Sequence, residues 1–389
     1  MTDKVVPCFF LVACEPSGDL LGARLMSALR TITNGNVRFA GVGGERMQAE
    51  GLQTLFQQSE LALFGLFELL PKIPHVLKRL HETAEAVKKI KPSAVITIDG
   101  PDFSFRLAKK LKGENIPLIH YVAPTVWAWR PGRAKKIAKL YDHLLAILPF
   151  EPPYFEKVGL PCTFVGHSVM EQGADKGDAA RLRAELNLAD DTKIITVLPG
   201  SRRSEIKRLA PIFAETLKLL QPLTGGFIVV VPTIPQIHDF LLPYLDEWPI
   251  QPTVLLGDQK KYDAFAASHV ALAASGTVAL ELAIAGAPHI IAYKLNALTV
   301  MLYRWLIKVK FANLTNLLLN RAVVPEYLQD DCAPEKMAKG LFELWNNGAA
   351  RAQQRQAFTQ VKTMLENNHM PPSQKAARVV CEVANVKLP

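Results

Sequence analysis

The sequence predicts an α/β protein of two doubly wound domains, each a parallel sheet with helices packed on it, followed by a helical tail. Two observations predict this. Short apolar runs (Phe9–Ala13, Val37–Ala40, Ala94–Ile98, Leu118–Val122, Leu144–Leu148) alternate with helical patterns (Leu20–Arg30, Val76–Ile90, Phe103–Leu111, Arg133–Leu140), which is the rhythm of βαβ units. The rhythm restarts after Gly166 with strands at Ile194–Leu198, Phe227–Val231, Val254–Leu256, Val270–Ala274 and His289–Ala292, whereas Ala333–Val386 reads as helices only. Residues 1–168 are the expected first domain, 169–365 the second, and 366–389 a terminal helix packing on the first domain or on a partner subunit. The polar stretch Val169–Asp178 is the linker candidate.

Composition narrows the function. The apolar share of 49% and charged share of 21% are those of a globular chain, and the formal charge of +9 suits anionic partners. The basic residues are spread along the chain rather than gathered in one arm, so phosphorylated substrates or an anionic membrane surface fit better than nucleic acid. Five scattered cysteines without a CxxC pair point to a reducing compartment, and nine histidines without an HExxH cluster give no reason to expect a bound metal. Leu11–Cys14 has the outline of a lipoprotein cleavage site, but the run is short, contains Pro7 just before it and enters a turn motif at once, so a strand is expected. No stretch reaches the roughly 20 apolar residues of a spanning helix.

The candidate site residues follow the strands. Glu15-Pro16-Ser17-Gly18-Asp19 opens a helix after the first strand, where α/β sheets bind ligands, and Gly18 allows close backbone approach. Leu61–Leu80 is more apolar than a surface helix, with Phe64, Phe67 and Leu70 followed by Lys72, as an interfacial segment requires; core packing or a subunit interface is the other reading. Asp99 ends a strand and is placed to act as a general base, while Asp102 reads as a helix-starting charge. His120 is placed before its strand's apolar run, hence at the far edge of the sheet, and the loop that follows carries Trp127 and Arg130, with Arg133 next, a possible seat for a phosphate. In the second domain Gly200-Ser201-Arg202 precedes a helix with Glu205, and guanidinium plus backbone N–H groups suit a diphosphate. Ser275-Gly276-Thr277 stops a strand and starts a helix that Ser275 or Thr277 can cap, Gly276 permitting a tight turn. Glu281, one turn on, can accept two ribose hydroxyls. Met301–Phe311 reads as a basic amphipathic helix that turns at Asn313–Leu317.

Taken together, EPSGD (Glu15–Asp19), GVGG with Met47, IDGPDF (Ile98–Phe103), HYVAPTVWAWR (His120–Arg130), LPFE (Leu148–Glu151), VGHS (Val165–Ser168), LPGSR (Leu198–Arg202), ASGTVALE (Ala274–Glu281) and NLL (Asn316–Leu318) resemble the lipid-A-disaccharide synthases. Ser104 and Arg203 depart from the usual pattern, which has asparagine and a small residue there. The resemblance implies an inverting glycosyltransferase with two Rossmann-like domains facing across a cleft (GT-B), working without a metal or cofactor. It implies transfer of 2,3-diacylglucosamine from UDP-2,3-diacylglucosamine to the 6-hydroxyl of 2,3-diacylglucosamine 1-phosphate, giving a β-1,6 disaccharide 1-phosphate and UDP. Asp99 is then the base. Glu15, Ser17, Gly18, Gly200, Ser201, Arg202, Ser275, Gly276, Thr277, Glu281 and Asn316 belong to the UDP-sugar side. Phe64, Phe67, Leu70, Lys72, Trp127, Arg130 and Arg133 belong to the acceptor and lipid. A cytoplasmic protein, peripheral on the cytoplasmic face of the Gram-negative inner membrane, and a dimer with exchanged C-terminal segments are also implied. Two other readings share Ser275–Glu281: a UDP-sugar epimerase of similar fold, which has no use for the Phe64–Leu70 patch, and a non-catalytic nucleotide-sugar or lipid-binding protein, which has no need of Asp99.

Overall fold

The computed structural model describes residues 6–61, 73–128, 132–295, 310–366 and 370–389. The chain divides into two compact units, Met1–Ser168 with Leu365–Pro389 and Val169–Met364. The first holds β1 (Cys8–Ala13), α1 (Pro16–Ile32), β2 (Arg38–Val42), α2 (Glu45–Ala49), β3 (Gln53–Thr54), α3 (Ile73–Ile90), β4 (Ala94–Ile98), α4 (Pro101–Leu111), β5 (Leu118–Tyr121), α5 (Arg133–Ile137), β6 (His143–Ala146), α6 (Pro152–Glu156) and β7 (Cys162–Phe164). Its seven strands run parallel in the order β3-β2-β1-β4-β5-β6-β7.

The near-continuous apolar strands follow from burial on both faces. Alternation in β1 sends Phe10 and Val12 into one core with Val87, Leu107 and Leu111, and Phe9 and Leu11 into the other with Leu25, Leu29 and Val380. Both phenylalanines are fully buried, each contributing roughly 1.5–3 kcal/mol, so neither face tolerates a polar substitution. The terminal helix Pro372–Val383 closes the second of these cores against α1.

The second unit holds α7 (Ala179–Glu185), β8 (Ile194–Leu198), α8 (Arg203–Thr224), β9 (Ile228–Thr233), α9 (Pro235–Leu245), β10 (Thr253–Leu256), α10 (Asp258–Ala267), β11 (Val270–Ala274), α11 (Thr277–Ile284), β12 (His289–Tyr293), α12 (Leu314–Leu319), β13 (Glu326–Leu328), α13 (Pro334–Asn346) and most of α14 (Gly348–Leu365); Pro372–Val383 is α15. Its six parallel strands are ordered β10-β9-β8-β11-β12-β13. Strand order reverses between β1 and β4 in one unit and between β8 and β11 in the other, and open α/β sheets bind ligands beyond the carboxyl ends of such a pair. Among the described residues no helix is long and apolar enough to cross a membrane.

Candidate active site

In the first unit the switch point is framed by the turn after β1 and the turn after β4. Glu15 is the N-cap residue of α1, Pro16 takes the first helical position, and Glu15, Pro16 and Ser17 are exposed. Gly18 is buried because α1 rests on the end of β4: a Cβ there would stand 3.3 Å from the Ile98 carbonyl oxygen. Asp19 turns inward instead. Its Oδ1 accepts from Gly44 N (2.8 Å) and Met47 N (3.1 Å) and its Oδ2 from Arg46 N (3.1 Å), so it caps α2 across the chain and ties EPSGD to the glycine loop after β2.

Asp99 lies at the other side of this switch point in a left-handed conformation (φ 52°), followed by Gly100 (φ 54°). Non-glycine residues seldom adopt this region, and such strain gathers at functional sites. Three contacts impose it. Asp99 N donates to Tyr121 O (3.0 Å), its carbonyl accepts from the buried Ser104 hydroxyl (2.7 Å), and a Cβ on Gly100 would stand 2.7 Å from Cys14 Cβ. Ser104 thus fixes the backbone that aims Asp99. The half-buried carboxylate has no hydrogen-bond or ion partner among the described residues, which leaves its lone pairs free to accept a proton. Burial, then the charges of Glu15 and Asp99, push the neighbouring Cys14 thiol up to about 12, so it stays neutral. Val122, just past β5, is a second left-handed residue (φ 77°), β-branched and held by its N–H to Leu145 O (3.0 Å).

His120 does not lie at the sheet edge. It is the third residue of β5, 1% exposed, with Nδ1 2.8 Å from the Thr97 hydroxyl and Phe105 edge-on to its ring. Burial pushes it down to about 3, so it is a neutral core residue rather than a rival base. Trp127 is half-buried, its Nε1 donating to Glu151 Oε1 (3.2 Å). Arg133 begins α5 with its guanidinium over the Phe105 ring at 5.6 Å. Phe64, Phe67, Leu70, Lys72 and Arg130 lie outside the described residues, as does most of the basic helix expected over 301–311.

In the second unit the two switch-point turns differ. After β8, Gly200 (φ 125°) has no room for a side chain, because its Cβ would stand 2.6 Å from that of Glu205. The Glu205 carboxylate accepts from Ser201 N (3.1 Å) and Arg202 N (3.3 Å) and holds Arg202 Nη1 at 3.1 Å. The N–H groups expected to meet a diphosphate therefore already have an acid, and the Arg202 side chain, paired with the same acid, is 74% exposed.

After β11 the arrangement is open. Ser275 and Thr277 do not cap α11; the N-cap is Gly276, no side chain among the described residues accepts from the first turn, and that turn holds no acid. Gly276 is extended (φ 169°), a conformation open to any residue, and nothing lies within 4 Å of where its Cβ would be. The fold does not require a glycine here, and among the described residues no hydrogen bond is made to the N–H groups of Thr277 and Val278, whereas Ala279 N donates to Gly276 O (3.1 Å). Glu281 in α11 is buried rather than exposed, and Oε2 stands 2.9 Å from Lys261 Nζ, a contact of charge without hydrogen-bond alignment. Burial alone would push the Lys261 ammonium down, but the Glu281 charge, with contacts to Glu281 and Asp258, outweighs it and holds the ammonium above the usual lysine range. Lys261, in α10, is the residue at this site that pattern reading missed.

Asn316 is corrected in role. It is fully buried, its Oδ1 accepts from Val323 N and Val324 N (2.8 and 2.9 Å), and its Nδ2 donates to Val324 O and Glu326 Oε1 (2.8 and 2.7 Å). With these bonds made inside the protein, it fastens α12 to β13 and has no group left for UDP.

The family model described as Lipid-A-disaccharide synthetase matches residues 9–380. A lipid-A-disaccharide synthase from Rhodospirillum centenum is 54% identical over 376 residues, covering 96% of this chain and 94% of its own. Among solved structures, the S. aureus MnaA-UDP co-structure superposes with a TM-score of 0.66 at 11% identity, covering 98% of this chain and 99% of its own. The glycotransferase of kitacinnamycin does so with 0.64 at 13%, covering 98% and 100%. At such identities the structural likeness speaks for the two-sheet GT-B fold alone, whereas the sequence match extends over nearly the whole chain and sets the epimerase aside. The chain belongs to the lipid-A-disaccharide synthase family, glycosyltransferases of lipid A biosynthesis.

Proposed function

We propose that the chain transfers 2,3-diacylglucosamine from its UDP derivative to the 6-hydroxyl of 2,3-diacylglucosamine 1-phosphate, forming the β-1,6 disaccharide 1-phosphate and UDP. The observation that carries this is the pairing of chemistries at the two switch points: in one unit an acid on a strained strand end, in the other a helix N-terminus above a buried acid, the first without a partner and the second without a side-chain cap among the described residues. In this reading Asp99 takes the proton from the acceptor 6-hydroxyl as its oxygen attacks the anomeric carbon, and the C–O bond to UDP breaks with its electron pair. Inversion in one displacement needs the base on the face opposite the leaving group. The diphosphate meets the N–H groups of α11 and Arg202, Gly276 admits it closely, and the ribose hydroxyls donate to Glu281. Glu15, Ser17 and Gly18 border the donor sugar.

Trp127, Arg130 and Arg133 serve the acceptor and its phosphate, and Phe64, Phe67, Leu70 and Lys72 its acyl chains and the anionic cytoplasmic face of the inner membrane. A dimer with exchanged C-terminal segments belongs to the same reading: α15 would supply its apolar face to a second copy. Mixing the purified protein with both lipids and separating products tests the reaction; UDP release without disaccharide, or neither, overturns it. Phe64→Ser with Phe67→Ser is expected to reduce sedimentation with anionic liposomes while the fold holds, and a folded variant that still sediments removes the membrane role.

A further inference from the structure

The segment that leaves β5 toward Trp127 is fastened by a buried acid. Glu151, the N-cap residue of α6, is 1% exposed. Its Oε2 accepts from Ile147 N (3.2 Å) and Leu148 N (3.0 Å), and its Oε1 from Trp127 Nε1 (3.2 Å). Phe150 meets the same indole edge-on, with centroids 5.2 Å apart. The turn after β6 thus grips the turn after β5 by one ring contact and one charged hydrogen bond.

Among the described residues no cation pairs with this acid, and the Cys162 thiol of β7, which also feels Glu156 of α6, feels its charge. Burial, followed by the charges of Glu151 and Glu156, pushes the Cys162 thiol up to about 12, so it carries no charge at neutral pH. Burial pushes the Glu151 carboxyl itself up to about 7 against the three N–H bonds that lower it. Oε2 already holds two donors, so a proton goes to Oε1. There it replaces the anionic acceptor facing the indole N–H by a neutral hydroxyl, and the charge-assisted bond is lost to a much weaker one.

We propose that Glu151 is a positioning residue: its ionised carboxylate latches the Trp127 segment in the form that takes the acceptor lipid, and protonation releases it, so that acceptor binding but not UDP binding depends on its charge. This rests on the acceptor reading of the Trp127 segment. Glu151→Gln imitates the released state, because the amide that replaces one oxygen offers a donor to donors.

The test uses the full chain labelled with ¹⁵N. Trp127→Phe assigns the Trp127 indole N–H signal among those of the five tryptophans. The signal is expected to shift with a midpoint near the neutral value of Glu151 and to stop titrating in Glu151→Gln. In parallel the acceptor KM of the unmodified enzyme is expected to rise roughly tenfold on the acid side of that midpoint, the weight of a lost hydrogen bond to a charged group. The Glu151→Gln enzyme is expected to show the raised KM at every pH, with kcat and UDP affinity close to normal. An indole signal that does not titrate in the unmodified chain, or titrates alike in Glu151→Gln, overturns the proposal, and the first of these needs no variant to fold. A titrating indole with a flat acceptor KM overturns the acceptor reading of the segment and the positioning role with it.

Discussion

Lys261 Nζ lies 2.9 Å from Oε2 of Glu281, so the acid beneath the open end of α11 is the buried half of an ion pair. Removing either partner tests a different thing. Glu281→Ala is expected to weaken UDP binding by about 1.5–3 kcal/mol in calorimetry, the weight of hydrogen bonds to a charged group, and unchanged affinity removes the ribose assignment. Lys261→Met leaves a buried carboxylate without its cation. Because the lysine side chain keeps 20% of its exposure, the cost is expected at about 1–3 kcal/mol of stability, less than for a fully dry pair. A melting temperature unmoved by Lys261→Met shows the pair to be incidental.

Replacing the proposed base addresses turnover alone. Asp99→Asn is expected to lower kcat by about 10² to 10⁴ with UDP affinity little changed, and near-normal turnover by the folded variant withdraws the role. His120→Ala is expected to fail differently, through loss of the buried contacts with Thr97 and Phe105, and so to appear in urea midpoints before it appears in kcat.

Two glycines separate strain from access. Gly100→Ala combines a left-handed backbone with a Cβ 2.7 Å from that of Cys14, and is expected to cost about 2–4 kcal/mol of stability. Gly276→Ala meets neither obstacle and is expected to leave the melting temperature in place while weakening UDP binding. A destabilised Gly276→Ala protein, or one with normal UDP affinity, contradicts the proposed anion seat.

Acid stability is set by buried imidazoles. Burial pushes His120 down to about 3 and His167 and His289 down to about 4. The folded state therefore favours their neutral forms, while the unfolded chain takes up protons below about 6.5. Stability is fully present above that pH and is lost as pH falls toward the folded values, by on the order of 3–5 kcal/mol per residue. Glu151 acts oppositely: its raised value adds stability as pH falls from about 7 to the unfolded carboxyl range, by on the order of 3 kcal/mol. The histidines act against the one acid, His120 and His167 in the first unit and His289 in the second. The urea midpoint is expected to fall steeply between about pH 6.5 and 4, and a flat midpoint there contradicts the burial of these side chains.

The central strands were plain in the sequence because each is a five-residue run, apolar but for Thr97 and Thr196, stopped by a turn residue: Ala94–Ile98, Ile194–Leu198 and Val270–Ala274 stand as read. The edge strands Cys162–Phe164 and Glu326–Leu328 were not, since a short, half-buried strand carries no such run. At the candidate site, the places of Asp99 and Gly276 at the ends of their strands were legible. Lys261, Glu151 and the acid partner of Ser201 N were not read as they act, because each works through a contact that spacing alone does not specify. Lys261 and Glu281 are twenty residues apart and meet only because α10 and α11 flank β11.

Asp19 spans a comparable gap, accepting from Gly44, Arg46 and Met47. The turn after β1 and the glycine loop after β2 are therefore one mechanical piece, although Gly44 stands 25 positions after Asp19 in the chain. Loop grafting between relatives must respect this. A chimera that imports the first turn without its own glycine loop strands a buried carboxylate opposite unmatched amides, whereas one that carries both segments moves an intact joint.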